Sequence, residues 1–160
     1  MIKLQELLVW VILGGPKIDK LAKNGEPNIV LPKPHMDNLD FSFSGIKTAV
    51  INLHHKTPDI DKANLCVSFE KCTTEILIEN TLKALKQLNL DIVALAGGVS
   101  ANSYIRSEFE KLKEKGIKVY YPEMSLCTDN AAMIASAAYY RYVNGETSEL
   151  TLNAIPNLKI

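Results

Sequence analysis

The segment Asp91–Asn102, DIVALAGGVSAN, decides the fold class of this chain. Its continuous apolar run, Ile92–Ala96, predicts a strand in the middle of a parallel sheet. Gly97 and Gly98 then predict a tight turn that opens a helix. Such a turn points backbone N–H groups and the positive end of a helix dipole at an anion. The segment therefore predicts an α/β fold and a ligand site where the strand gives way to the helix.

The segments around this strand predict alternating helices and strands. The region from Asp61 to about Leu88 has a roughly helical apolar pattern, and its length predicts a kink near Thr73-Thr74. The later predicted elements are a helix over Asn102–Lys115, a strand over Ile117–Tyr120, and an apolar helix from Asp129 to about Tyr142 that packs closely on the sheet. This order implies right-handed crossovers and a parallel sheet with helices on its faces. Ligands bind such sheets at the carboxyl ends of the strands.

The first half of the chain predicts shorter elements. Pro16 suits a first helical position, which predicts a short helix over Lys17–Lys23. Ile29–Leu31 predicts a short strand, and the strict alternation of Asp40–Ser44, DFSFS, predicts a half-buried one. A helix is predicted to follow from Ile46 to about His55.

Composition limits the classes of function. The chain has 160 residues with 18 basic and 18 acidic side chains, so its formal net charge is zero. This balance argues against a dedicated nucleic-acid arm or a polybasic membrane patch. Three cysteines without CxxC spacing favour a reducing, cytoplasmic compartment. The apolar segment Leu7–Leu13 is too short to span a bilayer, so we expect no membrane association.

Each candidate site residue has a structural and a functional interpretation. Gly97 and Gly98 either only connect a strand to a helix or also bind a phosphate. Asn102 either caps a helix or hydrogen-bonds that phosphate, and Asp129 either caps a helix or binds a metal ion beside it. Asp19, which follows a Gly-Gly-Pro turn, could accept the two hydroxyls of a ribose. The residues alone leave these alternatives open.

Four ordered motifs resemble one protein family. They are GGPKIDKLA (Gly14–Ala22), DFSFSGIKTAV (Asp40–Val50), LAGGVSAN (Leu95–Asn102) and CTDNAAMIA (Cys127–Ala135). Together they resemble the tRNA N6-adenosine threonylcarbamoyltransferases, a family also called glycoproteases or O-sialoglycoprotein endopeptidases. The protease name has little support here, because the chain has no HExxH motif and no plausible catalytic triad.

The resemblance implies a fold and a reaction. The fold is that of actin, sugar kinases and Hsp70, in which two ribonuclease-H-like lobes, each a mixed sheet with helices on its faces, hold a nucleotide between them. The reaction moves threonylcarbamoyl from its adenylate to N6 of adenosine 37 in tRNAs that read codons beginning with A. The family binds one divalent metal ion, usually iron or zinc, as a Lewis acid. It works together with partner proteins.

The resemblance also implies site residues, motif by motif. A glycine and an acid of the first motif contact the nucleotide, and the Gly-Gly pair approaches the phosphates through its backbone. An asparagine binds the adenylate or ATP, and an aspartate of the last motif binds the metal. In this chain these residues are Gly15, Asp19, Gly97, Gly98, Asn102 and Asp129.

The chain departs from the family in its missing first lobe. The HxxxH motif that supplies the other two metal ligands is absent, and so is the first lobe's glycine-rich loop. We therefore expect residues 14–150 to form the second, C-terminal lobe, between an atypical segment at 1–13 and a tail at 151–160. One ligand of three predicts weak or absent metal binding, and the chain is expected to be inactive alone.

Two alternative functions remain. The first is a non-catalytic nucleotide-binding or interaction module that pairs with a separately encoded first lobe or with itself. A lone lobe would then expose apolar surface that a partner covers. The second is an ATPase or kinase-like protein of the same fold, for which ATP turnover without tRNA would be the signature.

Overall fold

The computed structural model describes residues 15–34, 36 and 38–154. Within this part of the chain the helices and strands are α1 (Gly15–Ala22), α2 (Phe43–Lys56), α3 (Lys62–Leu88), β1 (Ile92–Ala94), α4 (Ser103–Glu110), β2 (Lys118–Tyr120) and α5 (Ala131–Val143). Three 3-10 turns lie between them, at Gly98–Ala101, Lys111–Lys115 and Met124–Leu126. The segment 1–13 and the end of the predicted tail lie outside the described residues.

The two strands form a parallel sheet, as the sequence predicts. Ile92 pairs with Lys118 and Ala94 with Tyr120, and α4 lies between the strands in the sequence. The pairing continues one residue past β1, where the N–H of Leu95 donates to the carbonyl of Tyr120 at 2.8 Å. The prediction of an α/β fold is therefore confirmed, with a sheet of two strands in the described residues.

The long helix α3 is the centre of the packing. It is one unbroken element of 27 residues, and its N-cap is Asp61, whose side chain accepts from the N–H of Asn64. It ends at Asn89, which adopts a left-handed conformation with φ 51°. Buried residues form three groups, one between α1 and α3 (Ala22, Cys66, Val67), one around α2 and α3 (Leu31, Ile46, Cys72, Ile76), and one between α4 and β2 and the turn joining them (Ile105, Phe109, Leu112, Val119).

The two strands predicted in the first half are wrong. Ile29–Leu31 lies in no helix or strand and pairs with no strand of the described chain, and the N–H of Ile29 donates instead to Ser68 Oγ at 3.1 Å. In place of a strand at Asp40–Ser44, α2 already begins at Phe43. A strand without a neighbour leaves its backbone N–H groups unpaired, whereas a helix satisfies them internally. Because the described residues provide no strand to pair with Asp40–Ser44, the alternating pattern does not form a strand there.

The last helix differs from its prediction in two ways. It begins at Ala131, and its N-cap is Asn130, whose side chain accepts from the N–H of Met133 at 3.0 Å, so Asp129 is not the cap. None of its residues is buried, so the predicted close packing on the sheet is wrong. The outer face of the sheet is bare as well, since Ile92 is 48% and Tyr120 58% exposed.

Candidate functional site

The N-terminus of α4 is held by one asparagine side chain. Asn102 Oδ1 accepts from the N–H of Ile105 at 2.8 Å, which confirms that Asn102 caps the helix. Its Nδ2 donates to Glu70 Oε1 on α3 at 2.6 Å. Capping alone would need only the first of these bonds. The second bond fixes the amide against the long helix.

A second contact brings the first motif to the same place. Ser103 Oγ donates to Asp19 Oδ1 at 2.6 Å, across 84 positions of the sequence. Asp19 lies in α1, and Lys23 Nζ lies 4.0 Å from its other carboxylate oxygen. Two of the predicted site residues, Asp19 and Asn102, therefore lie at one helix terminus. We call the residues Asp19, Glu70, Asn102 and Ser103 the α4 cluster.

The Gly-Gly turn leads into this cluster but does not open α4 directly. Gly97 has φ 78° and ψ 174°, a backbone conformation that is essentially restricted to glycine. Gly98 then begins the 3-10 turn that ends at Ala101, and Asn102 separates this turn from α4. Ser100 is buried, and its hydroxyl donates to the carbonyl of Gly97 at 2.7 Å. The sequence predicts that the Gly-Gly turn opens the helix directly. In the structure, the 3-10 turn and Asn102 lie between the Gly-Gly pair and α4 instead.

Arg106 is a residue that sequence reasoning missed. Its Nε donates to the carbonyl of Ser100 at 2.5 Å, and its Nη2 donates to the carbonyl of Pro122 at 2.7 Å and lies 3.0 Å from Cys127 Sγ. Its guanidinium also lies 4.6 Å from the centre of the Tyr121 ring. Arg106 thus links the turn after Gly97 to the segment that leads towards Asp129. The one signal was its spacing of four from Asn102, which places both on one helix face.

Glu70 is the second residue that sequence reasoning missed. It is 4% exposed, and this burial raises the pKa of its carboxyl group. The hydrogen bond from Asn102 lowers that pKa and the nearby charge of Asp19 raises it, and the net result is a raised pKa. Perturbed carboxyl groups of this kind concentrate at functional sites. The available signal was an acidic residue on the stripe Cys66, Glu70, Thr74, which otherwise carries uncharged residues at a spacing of four.

Of the six predicted site residues, Asp19 and Asn102 belong to the α4 cluster, and Gly97 and Gly98 join it only through the turn that ends at Ala101. No hydrogen bond of the described residues brings Gly15 or Asp129 to it. Gly15 is the exposed first residue of α1, and a Cβ built there would meet nothing within 4 Å. Asp129 is exposed in the loop before α5. Among the described residues, no three His, Cys, Asp or Glu side chains lie close enough to hold a metal ion. The described residues of this chain therefore do not by themselves fit a bound iron or zinc.

A cavity of about 250 Å³ lies elsewhere, beside the middle of α3. Its lining includes Lys33, Asp40 and Lys83, and it includes none of the six predicted site residues. The α4 cluster remains the place where two of the predicted residues, Asp19 and Asn102, meet.

Comparison with known proteins decides the family. A family model described as tRNA N6-adenosine threonylcarbamoyltransferase matches residues 1–136. This chain belongs to that family. The resemblance read from the four motifs is therefore confirmed, and the match includes the segment 1–13 that those motifs did not cover.

Two relatives carry the same name over most of this chain. The chain is 48% identical over 155 residues to the tRNA N6-adenosine threonylcarbamoyltransferase of Clostridium botulinum (strain Kyoto / Type A2). It is 51% identical over 153 residues to that of Thermosipho africanus (strain TCF52B). Each alignment covers 92% of this chain and 46% of the relative. The chain thus spans about half the length of these relatives and corresponds to their C-terminal part.

A solved structure supports the fold. The crystal structure of T. kodakarensis HypF matches with a TM-score of 0.58 and 16% identity, over 83% of this chain and 17% of that chain. At this identity the likeness concerns the fold alone. In the described residues, no helix is both long enough and apolar enough to cross a bilayer.

Proposed function

We propose that this chain carries the adenylate-facing part of a tRNA threonylcarbamoyltransferase. The observation that carries the proposal is the bond from Ser103 to Asp19, which places the acid of the first motif beside Asn102 of the third. Nothing in the local sequence of either motif requires this contact. The two motifs meet at one helix terminus because α1 and α4 both pack on α3.

The charges of the cluster favour a hydroxyl-bearing group over a phosphate at this point. Asp19 and Glu70 bring two carboxyl groups to the N-terminus of α4, where they already occupy the positive end of the helix dipole. Carboxylate oxygens accept hydrogen bonds from hydroxyls, and acidic residues bind ribose hydroxyls in nucleotide sites. We infer that the ribose of the adenylate lies at Asp19, where its hydroxyls would replace or join Ser103 as donors.

The phosphate belongs on the other side of Asn102. The turn that begins at Gly98 presents its first N–H groups without acceptors inside the turn, as every helical start does. Gly97, Gly98 and Val99 are all exposed, and no side chain lies within 4 Å of either glycine's Cβ position. A phosphate can therefore approach the backbone closely there. Asn102 follows this turn directly and precedes Ser103, which bonds Asp19, so we infer that it contacts both parts of an adenylate.

The complete reaction needs groups from outside this chain. We propose the family's substrates for the complete enzyme, namely threonylcarbamoyl-adenylate and adenosine 37 of tRNA, together with partner proteins of the same modification system in the cytoplasm. Asp129 would be one ligand of the family's iron or zinc, and a first lobe would supply the others. This chain is therefore proposed to be inactive alone while keeping its adenylate contacts.

Titration with AMP tests the proposal. Wild-type chain is expected to bind AMP, and Asp19→Ala and Asn102→Ala are each expected to weaken binding roughly 10- to 100-fold, the equivalent of one hydrogen bond to a charged group. Asp59→Ala is the matched control, because Asp59 is an exposed aspartate outside the cluster, and its affinity should equal that of the wild type. Equal affinity in all four proteins would show that the site assignment is wrong.

A second candidate, an interaction module, is favoured by the bare apolar surface. The exposed side chains on α5 are Met133, Ile134, Tyr139, Tyr140, Tyr142 and Val143, each at least 48% exposed. A helix that exposes this many large apolar side chains favours an interaction site. Light scattering on this chain, alone and mixed with the N-terminal half of the C. botulinum relative, tests the idea. Formation of a dimer or of a mixed complex supports it, and a monomer in both samples contradicts it.

A further inference from the structure

Glu70 is a buried acidic side chain to which the proposed adenylate contacts assign no role. It lies within α3, is 4% exposed, and belongs to none of the four family-like motifs. Among the described residues its carboxylate accepts one hydrogen bond, from Asn102 Nδ2 at 2.6 Å. A buried carboxylate with one such partner needs an explanation beyond packing, because removing it from water is costly.

The geometry shows what this bond does to Asn102. An asparagine amide offers two N–H donors and two lone pairs on its oxygen. The cap uses one lone pair, towards the N–H of Ile105, and Glu70 uses one N–H. Two bonds at opposite ends of the amide fix its plane, whereas the cap alone leaves the nitrogen end free to rotate. One N–H and one lone pair then remain at a defined orientation for a ligand.

Stability alone does not account for Glu70. An apolar side chain of similar volume at a buried charged position is often neutral or stabilising. Burial also raises the pKa of the Glu70 carboxyl group, which is the sign of a charge placed where folding disfavours it. The neighbouring Asp19 adds a like charge, which the charge of Lys23 opposes. The arrangement therefore opposes stability and preserves one particular hydrogen bond.

We propose that Glu70 is a positioning residue that holds the Asn102 amide in the orientation that binds the adenylate. Glu70 acts through Asn102, so this inference rests on the proposed adenylate site. It predicts that the affinity for AMP depends on a hydrogen-bond acceptor at position 70, and that the charge of that acceptor matters less.

The test compares Glu70→Gln, Glu70→Leu and Thr74→Val. Gln keeps the acceptor Oε1, so its affinity for AMP should stay within about threefold of the wild type. Leu removes the acceptor, so affinity should fall about tenfold or more while the melting temperature holds or rises. Thr74 is buried one turn further along α3, and its valine variant should bind like the wild type. The inference is overturned if Leu binds as tightly as Gln, or if Gln loses as much affinity as Leu.

A ligand-free measurement separates this inference from the proposed function. In the NMR spectrum, the two Asn102 side-chain amide protons should be well separated in wild type and Gln, and should move towards free-amide values in Leu. If no variant, wild type included, binds AMP, the adenylate site is wrong, and this spectrum alone decides the role of Glu70. Unchanged Asn102 amide signals in Leu would overturn the positioning role. If the Leu variant does not fold, Glu70→Met takes its place with the same expectations.

Discussion

Arg106→Lys tests the link between the turn after Gly97 and the segment after Pro122, which Arg106 joins by bonding both. The lysine keeps the positive charge but replaces a planar group with several donors by a single ammonium. In the wild type, the guanidinium donates to two carbonyls, of Ser100 and Pro122, at 2.5 and 2.7 Å and contacts Cys127 Sγ. An ammonium can reach one of these carbonyls but not both with good geometry. The substitution should therefore separate the contribution of the positive charge from that of the simultaneous hydrogen bonds to the two carbonyls, which we call the two-carbonyl clamp.

The expected cost follows from the contact that is lost. A buried acceptor left without a partner costs about 1–3 kcal/mol, and the contact with Tyr121 is worth about 0.5–1 kcal/mol and is partly kept by lysine. We therefore expect Arg106→Lys to lower the free energy of unfolding by about 2 kcal/mol. For a chain of this size that corresponds to a drop in melting temperature of roughly 4–8 °C.

Urea unfolding followed by circular dichroism measures this cost. The matched control is Arg141→Lys, because Arg141 is exposed and its Nε lies 3.8 Å from Glu146 Oε2 in a surface pair. Such pairs contribute little, so this variant should stay within about 0.5 kcal/mol of the wild type. If Arg106→Lys is as stable as Arg141→Lys, the clamp between the two loops does not exist as described.

Three further predictions concern single positions. Gly97→Ala should lower the free energy of unfolding by about 1–3 kcal/mol, because Gly97 has a φ of 78°. Gly98→Ala, without that backbone constraint, should lower it much less. Equal losses of the two variants in thermal unfolding would contradict the backbone argument. Thr74→Val should raise the free energy of unfolding by about 1 kcal/mol, because Thr74 Oγ1 is buried without a partner among the described residues, and a loss in urea unfolding would count against this. The stability of Glu70→Gln relative to the wild type should increase as the pH rises. The net effect of burial and of the opposing contacts is to raise the Glu70 pKa above its ordinary 4.5, so the folded wild type binds this proton more tightly than the unfolded chain does. The wild type therefore loses stability as the pH rises from 4.5 through the raised pKa. A gain of the Gln variant that grows towards acidic pH would refute this sign.

Much of the fold could be predicted because its signals are local. The helical spacing of α3 and the apolar run of β1 each depend on neighbours within a few residues. The cap at Asn102 was one of two readings, and the structure shows that the capping bond is made.

The failures come from elements that depend on distant neighbours. The alternation of Asp40–Ser44 is a valid strand pattern, but it needs a partner strand, and the described residues provide none for it. The apolar composition of α5 predicts burial, yet none of its residues is buried against the described part of the chain. A one-dimensional pattern states which face should be buried, but it does not state what buries it.

The candidate site shows the same division. Asp19 and Asn102 could be named from their motifs, but their meeting at α4 depends on two helices packing on a third. Glu70 and Arg106 act through contacts 32 and 21 positions long, and no short motif encodes either. Each could have been noticed only as a charged residue on a helix face that its spacing assigns to the interior or to the site.

An amide-resolved NMR titration of the wild-type chain with AMP tests the central claim most directly. The claim is that the adenylate-facing half of a threonylcarbamoyltransferase site lies at the N-terminus of α4. We predict that the largest shift changes occur at Asp19 and over Gly97–Ser103, with smaller ones at Glu70. Shifts confined to other regions, such as the cavity beside Lys33, or no shifts at millimolar AMP, would contradict the claim.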